Sequence, residues 1–302
     1  MESVTTINVA SAQYNLDFLN NFEQWKIKTE NWVESAVGKS AQILLFPEYG
    51  AMELTSLLIE SDRNDLKSQA KKLLPMIDDF KNVFSELAKK HNVYIIAPSI
   101  PFYQNDTLTT NRVFIFAPNG QIEFQDKFFM TRFEEEEWNI QSGEPVIKVF
   151  ETENVKFSVS TCFDIEFSFP ALAASHAGAQ IIFAPSCTET VKGACRVHIG
   201  ARARALENQN YVVISQTVGE SKWSPAVDIN YGYAGFYATP DVGFPDDGVL
   251  KTGQVNEPGW IVQSLRLSHI QRVRTSGAVF NFKKHQDLQK SFPIQTKMIK
   301  LT

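Results

Sequence analysis

Cysteine is scarce in this sequence: 302 residues carry three, an odd number too small for a disulfide framework. Free thiols persist in reducing compartments, and the opening stretch MESVTTINVASAQYN has no basic segment leading into an apolar core, so a cytoplasmic protein is expected. Also missing is any apolar run approaching the ~20 residues that cross a bilayer, which argues against a membrane protein. A positive surplus is absent too. With 29 Lys and Arg against 34 Asp and Glu, the chain has no basic excess with which to displace counterions from nucleic acid or an anionic membrane. No Gly/Ser- or Pro-rich linker, internal repeat or low-complexity segment interrupts it. What remains is 43% hydrophobic and 12% aromatic, ample for a large core, with a small molecule as the expected partner.

Strand and helix patterns alternate. TTINVASAQYN alternates as a strand, Phe18, Phe22, Trp25, Trp32, Val33 and Ala36 recur at helical spacing, and Gly38 stops that helix before the apolar strand AQILLFPEYG. A helical region from about Asp62 to His91, interrupted near Pro75, leads into the strand VYIIAPSI. RVFIFAPNGQIEFQDK and IKVFETENVKFSVSTCF read as hairpins around Pro118 to Gly120 and Thr152 to Asn154. A helix is expected from about Ala194 to Asn208, then the strand YVVISQTV and strand-like runs GYAGFYAT and GWIVQSLRL. Both halves supply strands and no linker divides them, so two sheets packed face to face in one domain, 1–277, are expected. The polar, aperiodic remainder, 278–302, is expected to lie over the surface or a neighbouring subunit.

One apolar run halts at Cys162, where a helix-like segment begins. A thiol on such a turn faces helix N-terminal N–H groups, which lower its pKa and can hold an oxyanion. Most free cysteines are merely packed, so a base and a cationic group are needed beside it. Glu48 follows the apolar run of ILLFPE, and Lys127 sits among apolar neighbours in QDKFFMTRF ahead of the acidic run Glu134 to Glu137. Acids and lysines at strand ends are usually solvated. The repeated placement of a reactive side chain where an apolar strand ends favours a site, because ligands collect beyond strand ends in open sheets. Rival groupings fit poorly. Cys187, Cys195 and His198 have a Cys-x7-Cys spacing that matches no common zinc pattern. His176, on the helix after Cys162, is expected to point away from it, against a papain-like pair, for which His198 is the other candidate.

LLFPE, the lysine of DKFFMTRFE, and STCFD, in that order, resemble the nitrilase superfamily of carbon–nitrogen hydrolases, as do HAGAQIIFAPS and RARALENQNYVV. The resemblance covers most of the chain. It implies an α+β fold, a four-layer α-β-β-α sandwich, with Glu48 as general base, Lys127 as oxyanion stabiliser and Cys162 as nucleophile. Glu134, with Trp138 four residues on, matches the family's second glutamate. Glu135 and Glu136 compete for that place, and Glu136 stands with Phe163 and Cys187 among the candidates for substrate binding. Departures include Phe129 where many members have histidine, two extra residues before Pro170, and YAGFYATP in place of the usual Gly-His-Ser. The implied activity is hydrolysis of a small amide or N-carbamoyl compound through a thioester, without cofactor or metal, in a homodimer or larger assembly. A true nitrilase and a catalytically silent scaffold are the alternatives.

Overall fold

The computed structural model describes residues 6–289 and 297–299. Strand β1 (Thr6–Asn15) leads into helix α1 (Phe22–Val37), which buries Trp25, Thr29, Val33 and Ala36 on one face. The Asn21 side chain accepts the Gln24 N–H at 2.9 Å, and Gly38 closes the far end of the helix, as its position suggests. After β2 (Ile43–Leu45) the expected interrupted helix resolves into α2 (Glu60–Asn64), α3 (Leu66–Leu73) and α4 (Ile77–His91). Pro75 lies in the single turn between α3 and α4, where its missing N–H does least harm. The run VYIIAPSI is two strands, β3 (Tyr94–Ile96) and β4 (Ile100–Asn105), because Pro98 cannot donate to a continuous ladder.

The expected hairpins are β5 (Leu108–Phe116) with β6 (Ile122–Asp126), and β7 (Phe150–Glu151) with β8 (Lys156–Val159). Between them lies α5 (Arg132–Glu136). There follow α6 (Ser168–His176), β9 (Ile181–Ser186), α7 (Val191–Asn208) and β10 (Tyr211–Glu220). Helix α7 starts earlier than its alanine-rich stretch because the Thr190 hydroxyl caps the Gly193 N–H at 3.1 Å. The short β11 (Ile229–Asn230), β12 (Gly235–Tyr237) and β13 (Val249–Thr252) precede β14 (Gly259–Arg266) and α8 (Leu267–Ser276). The segment expected to be irregular contains a helix, α9 (Asn281–Gln289). It docks on its own chain, with the Asn281 amide donating to the Leu206 carbonyl at 3.2 Å and Arg274 over the Phe282 ring at 4.0 Å. Beyond 289 the tail lies outside the described residues apart from 297–299.

Strands β1 and β10 pair in parallel only at Gln13 to Asn15. Further back they part, β1 taking β14 as its antiparallel neighbour and β10 taking β12. One sheet therefore divides into two that face each other. Period-two alternation fills the gap: Ile43 and Leu45 of β2 meet Ile181 and Phe183 of β9 in the central core. Leu44 points the other way, into a core with Trp25 and Phe80 of α1 and α4. Ile182 and Ala184 point toward Ala171 of α6 and Val197 of α7. The layers run helix, sheet, sheet, helix, an α+β sandwich. Each fully buried Ile, Leu or Phe contributes roughly 1.5–3 kcal/mol by removal from water, and a one-residue slip would reverse both faces of a strand.

Candidate active site

Four chain segments leaving the strand ends converge. Beyond β2 the Phe46 N–H still bonds to the Ile96 carbonyl at 2.9 Å, and Pro47 then turns Glu48 inward. Tyr49 adopts φ +55 with its N–H held by the Ser99 hydroxyl at 2.8 Å. At Gly50 a Cβ would stand 2.8 Å from the Pro98 Cβ, so only glycine lets these two loops approach. Beyond β6, Lys127 is fixed by its N–H on the Asn111 carbonyl at 3.0 Å and by its own carbonyl, which accepts from Gly143 at 2.9 Å.

Glu134 enters from α5. Thr131 caps that helix and the Glu134 carboxylate accepts the Thr131 N–H at 2.8 Å, a capping box. That reciprocal bond decides between the neighbouring acids: Glu134 is buried, whereas Glu135 is exposed. Glu136, expected among the substrate-binding residues, is also exposed, pairs with Arg132 at 2.7 Å on the outer face of α5, and is absent from the cavity wall. Helical spacing sends it away from Glu134. The Thr-x-x-Glu pattern at 131–134 was the legible signal for this choice.

Lys127 is 1% exposed. Its ammonium lies 2.8 Å from Glu48 Oε1 and 2.7 Å from Glu134 Oε2. Glu48 Oε1 also accepts from the Asn111 amide at 2.9 Å, and Oε2 from the Cys187 N–H at 2.9 Å. Glu134 further accepts from the Tyr49 hydroxyl at 2.6 Å and the Thr131 hydroxyl at 2.8 Å. Tyr49, Asn111 and Thr131 were not singled out in the sequence. Asn111 lies in the polar first half of β5, between Thr110 and Arg112, where no local pattern marks it.

Cys162 opens a short 3-10 turn, Cys162–Glu166, at φ +48, strain that a non-glycine residue carries where surrounding structure imposes it. Its thiol donates to the Cys187 carbonyl at 3.6 Å. Asp164, two residues on, accepts the N–H groups of Phe128 at 3.1 Å and Phe129 at 2.8 Å. One carboxyl thus ties the cysteine turn to the lysine turn. Phe163 and Cys187 line the same cavity of about 450 Å³ as Glu48, Lys127, Glu134 and Cys162, a volume suited to a small ligand. The Cys187 sulfur contacts Asn230 at 3.3 Å.

The electrostatics separate the groups. Burial would lower the Lys127 pKa, but Glu134 and Glu48 outweigh it and hold the ammonium well above its ordinary value. Burial also opposes ionisation of both carboxyls. At Glu48 it prevails over Lys127 and the pKa is raised; at Glu134, Lys127 with the Tyr49 and Thr131 bonds prevails and the pKa is lowered. The Cys162 thiol is pushed well above its ordinary value by burial and then by Glu48. This runs against the expectation of a lowered thiol pKa: burial and Glu48 favour the neutral thiol and outweigh Lys127, which acts the other way. Burial also lifts Cys187 to about 12. A protonated thiol beside a carboxylate of raised proton affinity, with a fixed ammonium at hand, can exchange a proton and receive a developing oxyanion.

His198 is not part of this arrangement. It is buried against Tyr237 at 2.6 Å and Gln216 at 3.1 Å and stacks on Tyr233, and burial lowers its pKa to about 4. His176 is likewise absent from the cavity wall, and Cys195 is exposed on α7. Among the described residues no His, Cys, Asp and Glu side chains gather in a metal-holding group, and no helix is long and apolar enough to cross a membrane.

Comparison with known proteins gives a match to the carbon-nitrogen hydrolase family over residues 8–250. The chain is 32% identical over 282 residues to a probable hydrolase, YhcX, of Bacillus subtilis, covering 93% of this chain and 54% of that protein. To omega-amidase NIT2 of Xenopus tropicalis it is 30% identical over 149 residues, 46% of this chain and 53% of that one. The chain thus spans about half the length of the first relative, and the second match about half of each protein. In fold it resembles a carbon-nitrogen hydrolase of Helicobacter pylori G27, with a TM-score of 0.76 at 16% identity, covering 95% of this chain and 97% of that one.

Proposed function

The chain belongs to the carbon-nitrogen hydrolase family, and from that premise we propose that it hydrolyses a small amide or N-carbamoyl compound through a thioester on Cys162. One observation carries the reading: a buried ammonium is held 2.8 Å from Glu48 and 2.7 Å from Glu134 in the wall of the cavity that Cys162 also lines, which sets a thiol, a carboxylate base and a fixed cation side by side. Glu48 takes the Cys162 proton as sulfur adds to the carbonyl carbon. The oxyanion lies between the Lys127 ammonium and the Phe163 N–H. Glu48 returns the proton to the departing nitrogen, and ammonia or an amine leaves a thioester. Glu48 then deprotonates a water that attacks the thioester, and collapse of that adduct returns the proton to sulfur and frees the acid. Glu134 stays ionised and holds Lys127 in place.

The omega-amidase among the relatives supports an amide over a nitrile as substrate. Against a silent scaffold stands the expense of the cluster, since a buried charged triad is hard to justify on stability alone. Ammonia or amine release from short amides, ω-amides, N-carbamoyl amino acids and nitriles is the test. Release from nitriles alone would make the protein a nitrilase, and silence across the panel a scaffold. Self-association through the outer face of α6 and α7 is part of the proposal, because Phe169 and Ile199 are 75% and 68% exposed there. Light scattering that finds only a 34.1 kDa species at micromolar concentration would remove it.

A further inference from the structure

The charges around the cavity do not balance. Lys127 at its base is shared by Glu48 and Glu134. Nearer the mouth the wall carries Glu166, Glu189, Arg196 and Asp228. Arg196 is engaged, its Nε donating to Glu166 Oε1 at 3.1 Å. Asp228 accepts the backbone N–H of Ile229 at 2.9 Å and faces no cation in the ion pairs of the described residues. Glu189 is exposed and pairs with none either. Each cation of the wall is therefore matched, and two carboxylates are left over.

Two neighbouring features could favour an anion instead. Lys192 in the first turn of α7 is exposed but lies outside the wall. The N-terminus of α7 opens on the cavity at Thr190 and Gly193, yet the Gly193 N–H is already taken by the Thr190 hydroxyl, and Glu189 stands just before it. Tyr49, Phe133 and Trp138 also line the cavity and contribute aromatic surface, which accommodates an alkyl chain and attracts cations.

We propose that the cavity selects substrates cationic at the end remote from the scissile bond: an amide or carbamoyl group at Cys162, joined by a short chain to a protonated amine or guanidinium that meets Asp228 and Glu189. This selectivity rests on the amide-hydrolase reading. An amide ending in a carboxylate finds no unmatched cation there.

The test uses amides of equal chain length ending in an ammonium, a methyl or a carboxylate group. In kcat/KM the ammonium compound should lead the carboxylate by at least roughly tenfold, the scale of two exposed charge contacts, and the lead should shrink in high salt. Glu189→Gln with Asp228→Asn should bring the ratio of ammonium to methyl compound toward one. Calorimetric binding of the same amides to Cys162→Ala separates the two claims. If nothing is turned over but the binding order holds, the hydrolase reading fails and charge selection stands. A flat or reversed order, binding of none, or a ratio untouched by the double substitution overturns charge selection.

Discussion

Replacing Lys127 by methionine removes the ammonium and keeps most of the volume, and the consequences follow from the remaining bonds. Glu134 retains the Tyr49 hydroxyl and the Thr131 hydroxyl and N–H. Glu48 retains the Asn111 amide and the Cys187 N–H. Burial already holds the Glu48 pKa above the usual range, so without its cation Glu48 is the carboxyl that takes up a proton. On the proposed mechanism the variant then lacks an oxyanion donor, worth on the order of 10²- to 10³-fold in kcat, and its base is protonated over a wider range. Residual activity should therefore show an acidic limb displaced to higher pH. Stability should change too, since stripping one partner from a buried ion pair costs about 3–5 kcal/mol when the other charge stays. A carboxyl whose folded pKa is raised contributes stability that is present at low pH and lost as pH rises through that value. The deficit of Lys127→Met against wild type should thus widen between about pH 5 and about pH 8. Adding Glu48→Gln should recover stability without activity. Ammonia-release pH profiles and urea denaturation at both pH values measure this. A kcat within about tenfold of wild type, an unmoved acidic limb or a deficit independent of pH would each refute the reasoning.

Cys162→Ala should abolish turnover while Cys187→Ala and Cys195→Ala retain most of it, because Cys187 bonds to Glu48 and Cys162 through its backbone; a substrate-like electrophile should add one mass increment, mapped to Cys162. Burial raises Asp164 from 3.8 to about 7, so the stability tied to its proton is lost as pH climbs between those values, at most ~4 kcal/mol. Asp164→Asn, which does not titrate, should gain on wild type over that interval and level off above it in denaturation measurements; a constant difference would show that Asp164 titrates normally. At Gly200 on α7 a Cβ would lie 2.7 Å from the Ile165 carbonyl oxygen, so Gly200→Ala should destabilise by about 1–3 kcal/mol despite alanine's better helix propensity, and should lower kcat by displacing the Cys162 turn. Unchanged melting and turnover would show that the helix can move aside.

Strand ends carrying Glu48 and Cys162 were legible because each follows an apolar run, and an apolar run that stops at a reactive residue has few explanations in a sheet protein; Lys127 follows the alternating IEFQD and was marked by the apolar residues after it and by the family resemblance. The helix of α1, with its Asn21 cap and Gly38 stop, and the hairpin of β5 and β6 were legible for the same local reason: periodicity and turn residues act over a few positions. The α9 helix was not, because its sequence carries little apolar periodicity and its contacts with Leu206, Gln209 and Arg274 come from other elements.

The sequence by itself determined which residue types could do the chemistry and that they lie at strand ends, since both follow from local pattern. It also held the Thr-x-x-Glu signature that selects Glu134. Only the tertiary structure decided which proton each group holds. The thiol's raised pKa comes from burial and from Glu48, the shifts of Glu48 and Glu134 from burial set against one shared ammonium, and that burial exists only once β1 and β10 part and the strand ends close around the cavity. A pKa depends on distances between segments far apart in the chain, and no local pattern encodes them.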